Sequence, residues 1–187
     1  MRHAVPMILF AFNTVSYAAG PNDLLVAIRN GDHLQVRKLI DAGADVNTVD
    51  DDGTTALMHS VIESDVRMMK LLIAKGANVN RKNAKDSTAL MYAATNLAKT
   101  RVLLDAGAEV KVKGQTGATP MSVALTTFGS TSVLKLLVNK GGELEDRLMT
   151  LGAATGDLEA IQYLLSIGVP AGNRTGASLA AAISARW

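Results

Sequence analysis

Histidines, serines and glycine-rich segments are the parts of this chain whose residue types could support catalysis or bind a metal or phosphate. The histidines His3, His33 and His59 lie far apart in the sequence, and a zinc site needs three or four converging ligands. The chain has no cysteine, which excludes disulfides, thiolate metal sites and a cysteine nucleophile. No serine lies in a Gly-x-Ser-x-Gly turn. We therefore expect no enzyme activity, no cofactor and no metal, and structural or surface roles for His33 and His59.

Two glycine-rich segments and a set of methionines could be read as binding sites. Residues 152–156 lack the Lys-Ser/Thr pair and the preceding strand of a phosphate loop, so we predict that they end a helix. Residues 114–117 are predicted to form a turn. The methionines could form an adaptable surface or a copper site, but several lie in a recurring apolar motif, which favours a role in the core. They are Met58, Met68, Met69, Met91, Met121 and Met149.

Residues 1–18 have the features of a secretory signal. Met1-Arg2-His3 forms a positive start, residues 4–15 are mostly apolar, and Ser16 and Ala18 fit the small positions before a signal-peptidase cut. We predict cleavage after Ala18 and a periplasmic or secreted mature protein. The apolar run is shorter than the roughly twenty residues of a spanning helix, so we expect no integral membrane segment in the mature chain. The alternative is an N-terminal helix that covers one end of the folded domain.

The composition excludes several classes of protein. Apolar residues make up 48% of the 187-residue chain, which is typical of a folded domain rather than a disordered segment. Aromatic residues make up only 4%, so the core must consist of smaller aliphatic side chains in closely packed helices. The formal net charge is +2 and no dense basic stripe is present, so we expect no nucleic-acid partner.

A pattern with a period of about thirty residues determines the fold prediction. A threonine-initiated block begins at Thr55, Thr88 and Thr119, and an apolar block such as residues 69–73 precedes each of a series of glycines. Threonine can cap a helix N-terminus, and glycine ends a helix where the backbone becomes left-handed. We therefore predict helical hairpins stacked into a solenoid. The glycines, spaced by 33, 31, 34 and 27 residues, are Gly43, Gly76, Gly107, Gly141 and Gly168.

The three blocks recur in register and resemble the ankyrin repeat, whose pattern is a turn, Thr-Pro-Leu-His-x-Ala-Ala, a second apolar helix and Gly-Ala-x-Val-Asn. The resemblance covers residues 22–187 and implies an all-α solenoid of stacked helix-turn-helix units with short hairpin tips. Met58 and Met91 replace the motif histidine, and Ala56 and Ala89 replace the proline. These replacements remove a hydrogen-bonding device at the start of the first helix.

We divide the chain into a signal peptide, residues 1–18, and an ankyrin repeat domain, residues 19–187. The first repeat lacks the leading turn, so we expect it to act as the N-terminal cap. The third repeat is shorter than the second between Thr95 and Val102, which predicts a shortened helix or connection. The C-terminal segment is either a natural cap or a truncated sixth repeat. The predicted repeats are 22–49, 50–82, 83–113, 114–142 and 143–172, followed by a partial cap, 173–187.

The resemblance implies a module that binds another protein on a concave face made of turn tips and first helices. The tip charges change sign along the stack, from residues 50–52 through Lys85 to Glu143. This track either steers a complementary partner or lets neighbouring tips neutralise each other. We expect a monomer. Carried over residue by residue, the predicted partner-binding residues are Asp51, Asp52, Thr54, Glu63, Lys85, Ser87, Thr95, Asn96, Gln115, Thr116, Thr126 and Thr127.

Three functional hypotheses follow. The leading one is an exported, non-enzymatic protein that protects or matures a periplasmic enzyme, or neutralises a toxin as an immunity protein. The second is an ankyrin-repeat effector delivered into a host cell. The third, an enzyme built on the stack, is disfavoured because no set of ionisable residues is arranged for catalysis. A fold by itself does not identify a partner.

Overall fold

The computed structural model describes residues 20–63 and 65–170. The predicted signal peptide and the partial C-terminal cap lie outside these residues, and both stay predictions. Each predicted repeat contains one pair of helices. The helices are α1 (Pro21–Arg29), α2 (His33–Asp41), α3 (Ala56–Glu63), α4 (Val66–Ala74), α5 (Ala89–Ala93), α6 (Leu97–Asp105), α7 (Pro120–Ala124), α8 (Thr131–Asn139), α9 (Arg147–Thr155) and α10 (Leu158–Ser166).

The helices form two layers, because like helices of successive pairs pack on each other. In the odd-numbered layer, α1 contacts α3, α3 contacts α5, α5 contacts α7 and α7 contacts α9. In the even-numbered layer, α4 contacts α6, α6 contacts α8 and α8 contacts α10. The described residues contain no β-strand, only an isolated bridge between Val49 and Thr55. The prediction of an all-α repeat solenoid is confirmed.

The five periodic glycines occupy equivalent places at the ends of α2, α4, α6, α8 and α10. Their φ angles are all positive, between 84° and 95°, a region in which a side chain is strained. After α4, the Gly76 N–H donates to the Ile73 carbonyl and the Ala77 N–H donates to the Leu72 carbonyl, both at 3.0 Å. This is the Schellman pattern that satisfies the free carbonyls of a helix end. The prediction that glycine ends each second helix is confirmed.

The threonine caps are confirmed at two of the three predicted positions. The Thr55 hydroxyl accepts the Met58 N–H at 3.1 Å, and the Thr119 hydroxyl accepts the Ser122 N–H at 3.2 Å. The prediction is wrong for Thr88, whose hydroxyl is buried and has no hydrogen-bond partner. There the Met91 N–H donates to the Thr88 carbonyl at 3.1 Å instead.

The first helices of the third and fourth repeats are short for different reasons. The predicted shortening of the third repeat falls on α5, which has 5 residues where α3 has 8. In the fourth repeat α7 also has 5 residues, but the remaining chain forms a loop, residues 125–130. Asp157, which is 2% exposed, holds this loop by accepting the Gly129 and Ser130 N–H groups at 2.8 and 3.1 Å.

Two asparagines of the Gly-Ala-x-Val-Asn motif connect the first repeat to the second and the second to the third. In both, the side-chain amide donates to a carbonyl of the next periodic glycine, and the side-chain oxygen accepts a backbone N–H two residues beyond it. Lys111 occupies the same position in the following repeat, so this connection is missing between the third and fourth repeats. The bonds run from Asn47 Nδ2 to Gly76 O (3.2 Å), Asn78 N to Asn47 Oδ1 (2.7 Å), Asn80 Nδ2 to Gly107 O (3.1 Å) and Glu109 N to Asn80 Oδ1 (2.8 Å).

The core lies between the two layers and consists of Leu, Ile, Val, Ala and Met side chains. All six methionines singled out from the sequence are buried, each no more than 4% exposed. Their flexible thioethers fill the space between helices. The interpretation of these residues as core rather than as an exposed surface is therefore confirmed.

Candidate protein-binding face

Three turns of identical construction connect the repeats at one edge of the stack. We call them the first tip (50–54), the second tip (83–87) and the third tip (114–118). In each, the first residue donates its N–H to the carbonyl of the fifth, at 3.1, 3.0 and 2.9 Å respectively. The fourth residue has a positive φ in all three, and it is Gly53, Asp86 and Gly117. Aspartate is one of the few residues with a side chain that tolerates this conformation.

Backbone hydrogen bonds join neighbouring tips. The Ala84 N–H donates to the Asp52 carbonyl at 2.9 Å, and the Gln115 N–H donates to the Lys85 carbonyl at 3.1 Å. The Gln115 side-chain amide also donates to the Ala84 carbonyl at 2.7 Å. Beyond the third tip the construction changes, since the Arg147 guanidinium of α9 donates to the Gly117 carbonyl. The three tips therefore form one continuous edge with fixed spacing.

A polar pair fixes each of the first two tips to the helix that follows it. Asp50 Oδ2 lies 2.8 Å from His59 Nε2, and Asn83 Nδ2 donates to the Tyr92 hydroxyl at 3.0 Å. The other side-chain oxygen of Asp50 accepts the N–H groups of its own tip, including that of Thr54 at 2.8 Å. The third tip has no such pair, because it starts with Gly114, which has no side chain.

The Asp50 carboxylate interacts with several charged and polar groups around the first tip. Burial by itself raises the pKa of this carboxyl. Hydrogen bonds from the Thr54 and Asp52 N–H groups, together with the hydrogen bond and charge of the His59 ring, lower the pKa by more, so it lies below its ordinary value. Arg29 Nη2 of α1 lies 3.3 Å from the same carboxylate. The Asp50 charge is therefore already neutralised within the protein, and His59 has a structural role, as expected from the sequence.

Most of the predicted partner-binding residues lie at the surface of the tips and of the odd-numbered helices. Thr54 is only 9% exposed, so its side chain offers little surface, and Ser87 is half-buried. Asn96 is exposed but also caps α6, since its side chain accepts the Lys99 N–H at 3.1 Å. All twelve remain predicted contacts. The ten exposed ones are Asp51, Asp52, Glu63, Lys85, Thr95, Asn96, Gln115, Thr116, Thr126 and Thr127.

Exposed apolar side chains lie on the same helices. Val26 of α1, Ile62 of α3 and Tyr92 of α5 are 51%, 46% and 37% exposed. Large apolar side chains left in water on neighbouring elements mark surfaces that contact other molecules. We call the three tips, together with the exposed residues of the odd-numbered helices, the tip face. It corresponds to the concave face that the ankyrin resemblance implies.

Two pockets open on the tip face. The first, about 370 Å³, lies between α1 and the first tip, where Val26 and Asn22 face Asp51 and Asp52. The second, about 270 Å³, lies between the third tip and helices α7 and α9, and its lining includes Val123, Leu151 and Arg147. Pockets of this size accept one or two side chains of a protein partner.

The described part of the chain has no group of three or more His, Asp or Glu side chains placed to hold a metal ion. Within the same residues, no helix combines the length and the apolar character that crossing a bilayer requires.

Comparison with known proteins identifies the repeats. The family model for ankyrin repeats matches residues 24–114 in three copies. No curated protein matches the chain. The helix pairs after residue 114 continue the same two layers and the same glycine-terminated helix ends. Ankyrin repeats are in general non-enzymatic modules that bind other proteins. Residues 24–114 of this chain are therefore ankyrin repeats, and the helix pairs that follow continue the same repeat solenoid.

Proposed function

We propose that this ankyrin repeat protein binds one protein partner on its tip face after export from the cytoplasm. The observation that supports this most is the combination, on one face, of exposed Val26, Ile62 and Tyr92 with charged tips and two pockets. Protein interfaces combine an apolar centre with a polar rim in the same way. The hydrogen bonds that join the tips keep this surface in a fixed shape, which lowers the entropy lost on binding.

The proposed site of action is the periplasm or the exterior of a bacterial cell. The positive start, the short apolar run and the small residues Ser16 and Ala18 support this. In that setting, a small repeat protein would protect or mature an exported enzyme, or neutralise a toxin. We propose that the protein is monomeric until it binds its partner.

A capture experiment with matched variants tests the proposal. The tagged protein is expressed in its own host, and its partners are isolated from the periplasmic fraction and the medium. Ile62→Glu places a charge on the tip face, whereas Leu34→Glu places one on α2, where the native leucine is 65% exposed. We expect a stoichiometric partner with the parent protein and with Leu34→Glu, and its loss with Ile62→Glu. The proposal is contradicted if the Ile62→Glu variant captures the partner as well as the parent protein does, or if the repeat protein stays in the cytoplasm.

Delivery into a host cell is the second candidate, supported by the same signal and the same repeats. Fractionation separates the two. Protein that passes the outer membrane and reaches host cytosol supports the effector role, whereas protein confined to the periplasm supports the protective or immunity role.

A further inference from the structure

The charges of the tip face are unevenly compensated. Asp51 and Asp52 of the first tip are exposed, and neither side chain forms an ion pair with any described residue. Asp50 beside them is already paired with His59 and Arg29. The first tip therefore presents a net negative charge to an approaching partner.

The second tip, taken together with Lys82 just before it, has a net positive charge, because Lys82 and Lys85 outnumber Asp86. Lys82 and Lys85 are exposed, and Lys111 is exposed one repeat further along. None of the three ammonium groups forms an ion pair within the described ranges. Because backbone hydrogen bonds join this tip to the first, the acidic and the basic groups keep a fixed order along the edge.

At the far end of the face, most charged side chains are paired with one another. Lys113 Nζ lies 3.0 Å from Glu145 and 3.5 Å from Glu143, and Arg147 Nε lies 2.6 Å from Glu145. The hydrogen bond that Lys113 donates to the Glu145 carboxylate raises the pKa of Lys113. Burial raises the pKa of Glu145, but the hydrogen bonds from Lys113 and Arg147 outweigh it and lower the pKa overall. In the second acidic part of the track, only Asp146 is exposed without an ion pair among the described residues, so most of the unpaired charge lies in the first acidic part and in the basic part.

The pocket beside the first tip suits a long cationic side chain. Its α1 wall includes Val26, which is half exposed, and Arg29, whose guanidinium is paired with Asp50. Its opposite rim carries the Asp51 and Asp52 carboxylates, so the lining keeps an excess of negative charge. Lysine and arginine bury their aliphatic stems on apolar surface while the charged head stays at a polar rim. The exposed Val26 side chain next to two carboxylates without an ion pair in the described part of the chain matches that arrangement.

We infer that the protein partner binds through a dipolar segment and in one direction. Its lysine or arginine residues lie against Val26 and the first tip, and its acidic residues lie against the second tip. In the reversed direction each end would meet a like charge, which opposes binding and sets the register of the complex. This inference rests on the proposed function, and it adds the chemistry and the polarity of the partner segment.

A synthetic peptide tests the direction without knowledge of the natural partner. The peptide has two lysines at one end, two glutamates at the other and leucines between them, and it carries a nitroxide label at either end in separate samples. With ¹⁵N-labelled protein, we expect the label at the lysine end to broaden the amide signals of Asp51 and Asp52. The label at the glutamate end is expected to broaden those of Lys82 and Lys85. Broadening of the same residues by both labels overturns the inference.

Charge variants with matched controls test the cause. We expect Asp51→Lys to weaken peptide binding about fivefold, because it removes one exposed attraction and adds one repulsion. Asp105→Lys makes the same change in net charge on exposed α6 of the even-numbered layer, and we expect less than about a twofold effect, since salt screens distant charges. In the same way, Lys85→Glu is compared with Lys70→Glu of α4. Equal effects within either pair overturn the inference.

A variant with unchanged net charge gives the sharpest result. This variant exchanges the charges of the two regions by combining Asp51→Lys and Asp52→Lys with Lys82→Glu and Lys85→Glu. We expect it to bind the peptide in the opposite direction, as reported by the two labels. An unchanged direction of peptide binding overturns the inference. It is also overturned if the parent protein forms a dimer that Asp51→Lys dissociates, because a second copy of the chain would then cover the face. If a natural partner is captured in an Ile62-dependent manner but binds the exchanged variant equally well, the inference fails while the proposed function stands.

Discussion

The asparagine connections between repeats lead to a prediction whose size follows from counted hydrogen bonds. Asn47→Ala removes the donor to the Gly76 carbonyl and the acceptor of the Asn78 N–H. Each hydrogen bond contributes about 0.5–1.5 kcal/mol net to stability. Gly76 and Asn78 are exposed, so water replaces part of what is lost and the lower half of the range applies. We therefore expect Asn47→Ala to lower the free energy of unfolding by about 1–2 kcal/mol.

Urea and thermal unfolding followed by circular dichroism measure this effect. For a chain of this size, 1 kcal/mol corresponds to a shift in Tm of about 2–4 °C, so Asn47→Ala should lower Tm by about 2–8 °C. Asn80→Ala should have a similar effect, since it makes the same two bonds to the next loop. The control is Lys111→Ala, which replaces the equivalent residue where no connection exists and should change stability by less than about 0.5 kcal/mol.

The converse substitution is the more demanding test. Lys111→Asn should create the missing connection to the Gly141 carbonyl and the Glu143 N–H, which occupy the places of Gly76 and Asn78, and raise stability by about 1 kcal/mol. If Asn47→Ala and Asn80→Ala fall within about 0.5 kcal/mol of Lys111→Ala, the connections contribute nothing. The reasoning that assigns them a share in coupling the repeats is then refuted.

Four further predictions concern caps, backbone and charge. Thr88→Val should leave the urea midpoint unchanged or raise it, since its buried hydroxyl has no partner, whereas Thr119→Val should lower stability by about 1 kcal/mol by removing a cap; equal effects would contradict the assignment. Gly76→Val should lower stability by about 1 kcal/mol or more through strain at φ 93°, and an unchanged Tm would refute this. Asp157→Ala should cost about 2–4 kcal/mol and raise amide hydrogen exchange across α7–α10, because three backbone N–H groups lose their acceptor; unchanged exchange there would count against it. The lowered pKa of Asp50 stabilises the fold above the ordinary carboxyl pKa of about 3.9 and loses that contribution as the pH falls through the lower folded-state value. Urea midpoints between neutral and acid pH should therefore fall less steeply in Asp50→Asn than in the parent, and parallel curves would contradict the sign.

The periodic features of the fold follow from the sequence because each depends on only a few adjacent residues. A glycine three residues beyond the apolar block of a helix is enough to specify a Schellman ending, and this holds at Gly43, Gly76 and Gly107 alike. Burial of the methionines also follows from their place in the repeated motif. The missing residues of the third repeat predict a shortened helix or connection, since a helical hairpin with fixed ends must lose length somewhere, and the structure places the loss in α5.

The candidate site could be predicted only as a set of positions. Exposure of Asp51 and Lys85 follows from their place at turn tips, but the burial of Thr54 depends on how its tip folds back on Asp50. The alternating charges in the sequence do not indicate which of them form ion pairs within the protein. The pairing of Lys113 with Glu143 and Glu145 became visible only once the loops were placed side by side.

What the sequence by itself determined is the repeat, the ends of the second helices and the two layers, because glycine conformation and apolar periodicity act within a single helical hairpin. What only the tertiary structure decided is which polar groups meet across hairpins: Asp50 with Arg29, Asn47 with the Gly76 loop, and Asp157 with the loop after α7. These contacts join residues 21–29 positions apart. Their geometry depends on the rotation and spacing between successive hairpins, which local residue patterns do not encode.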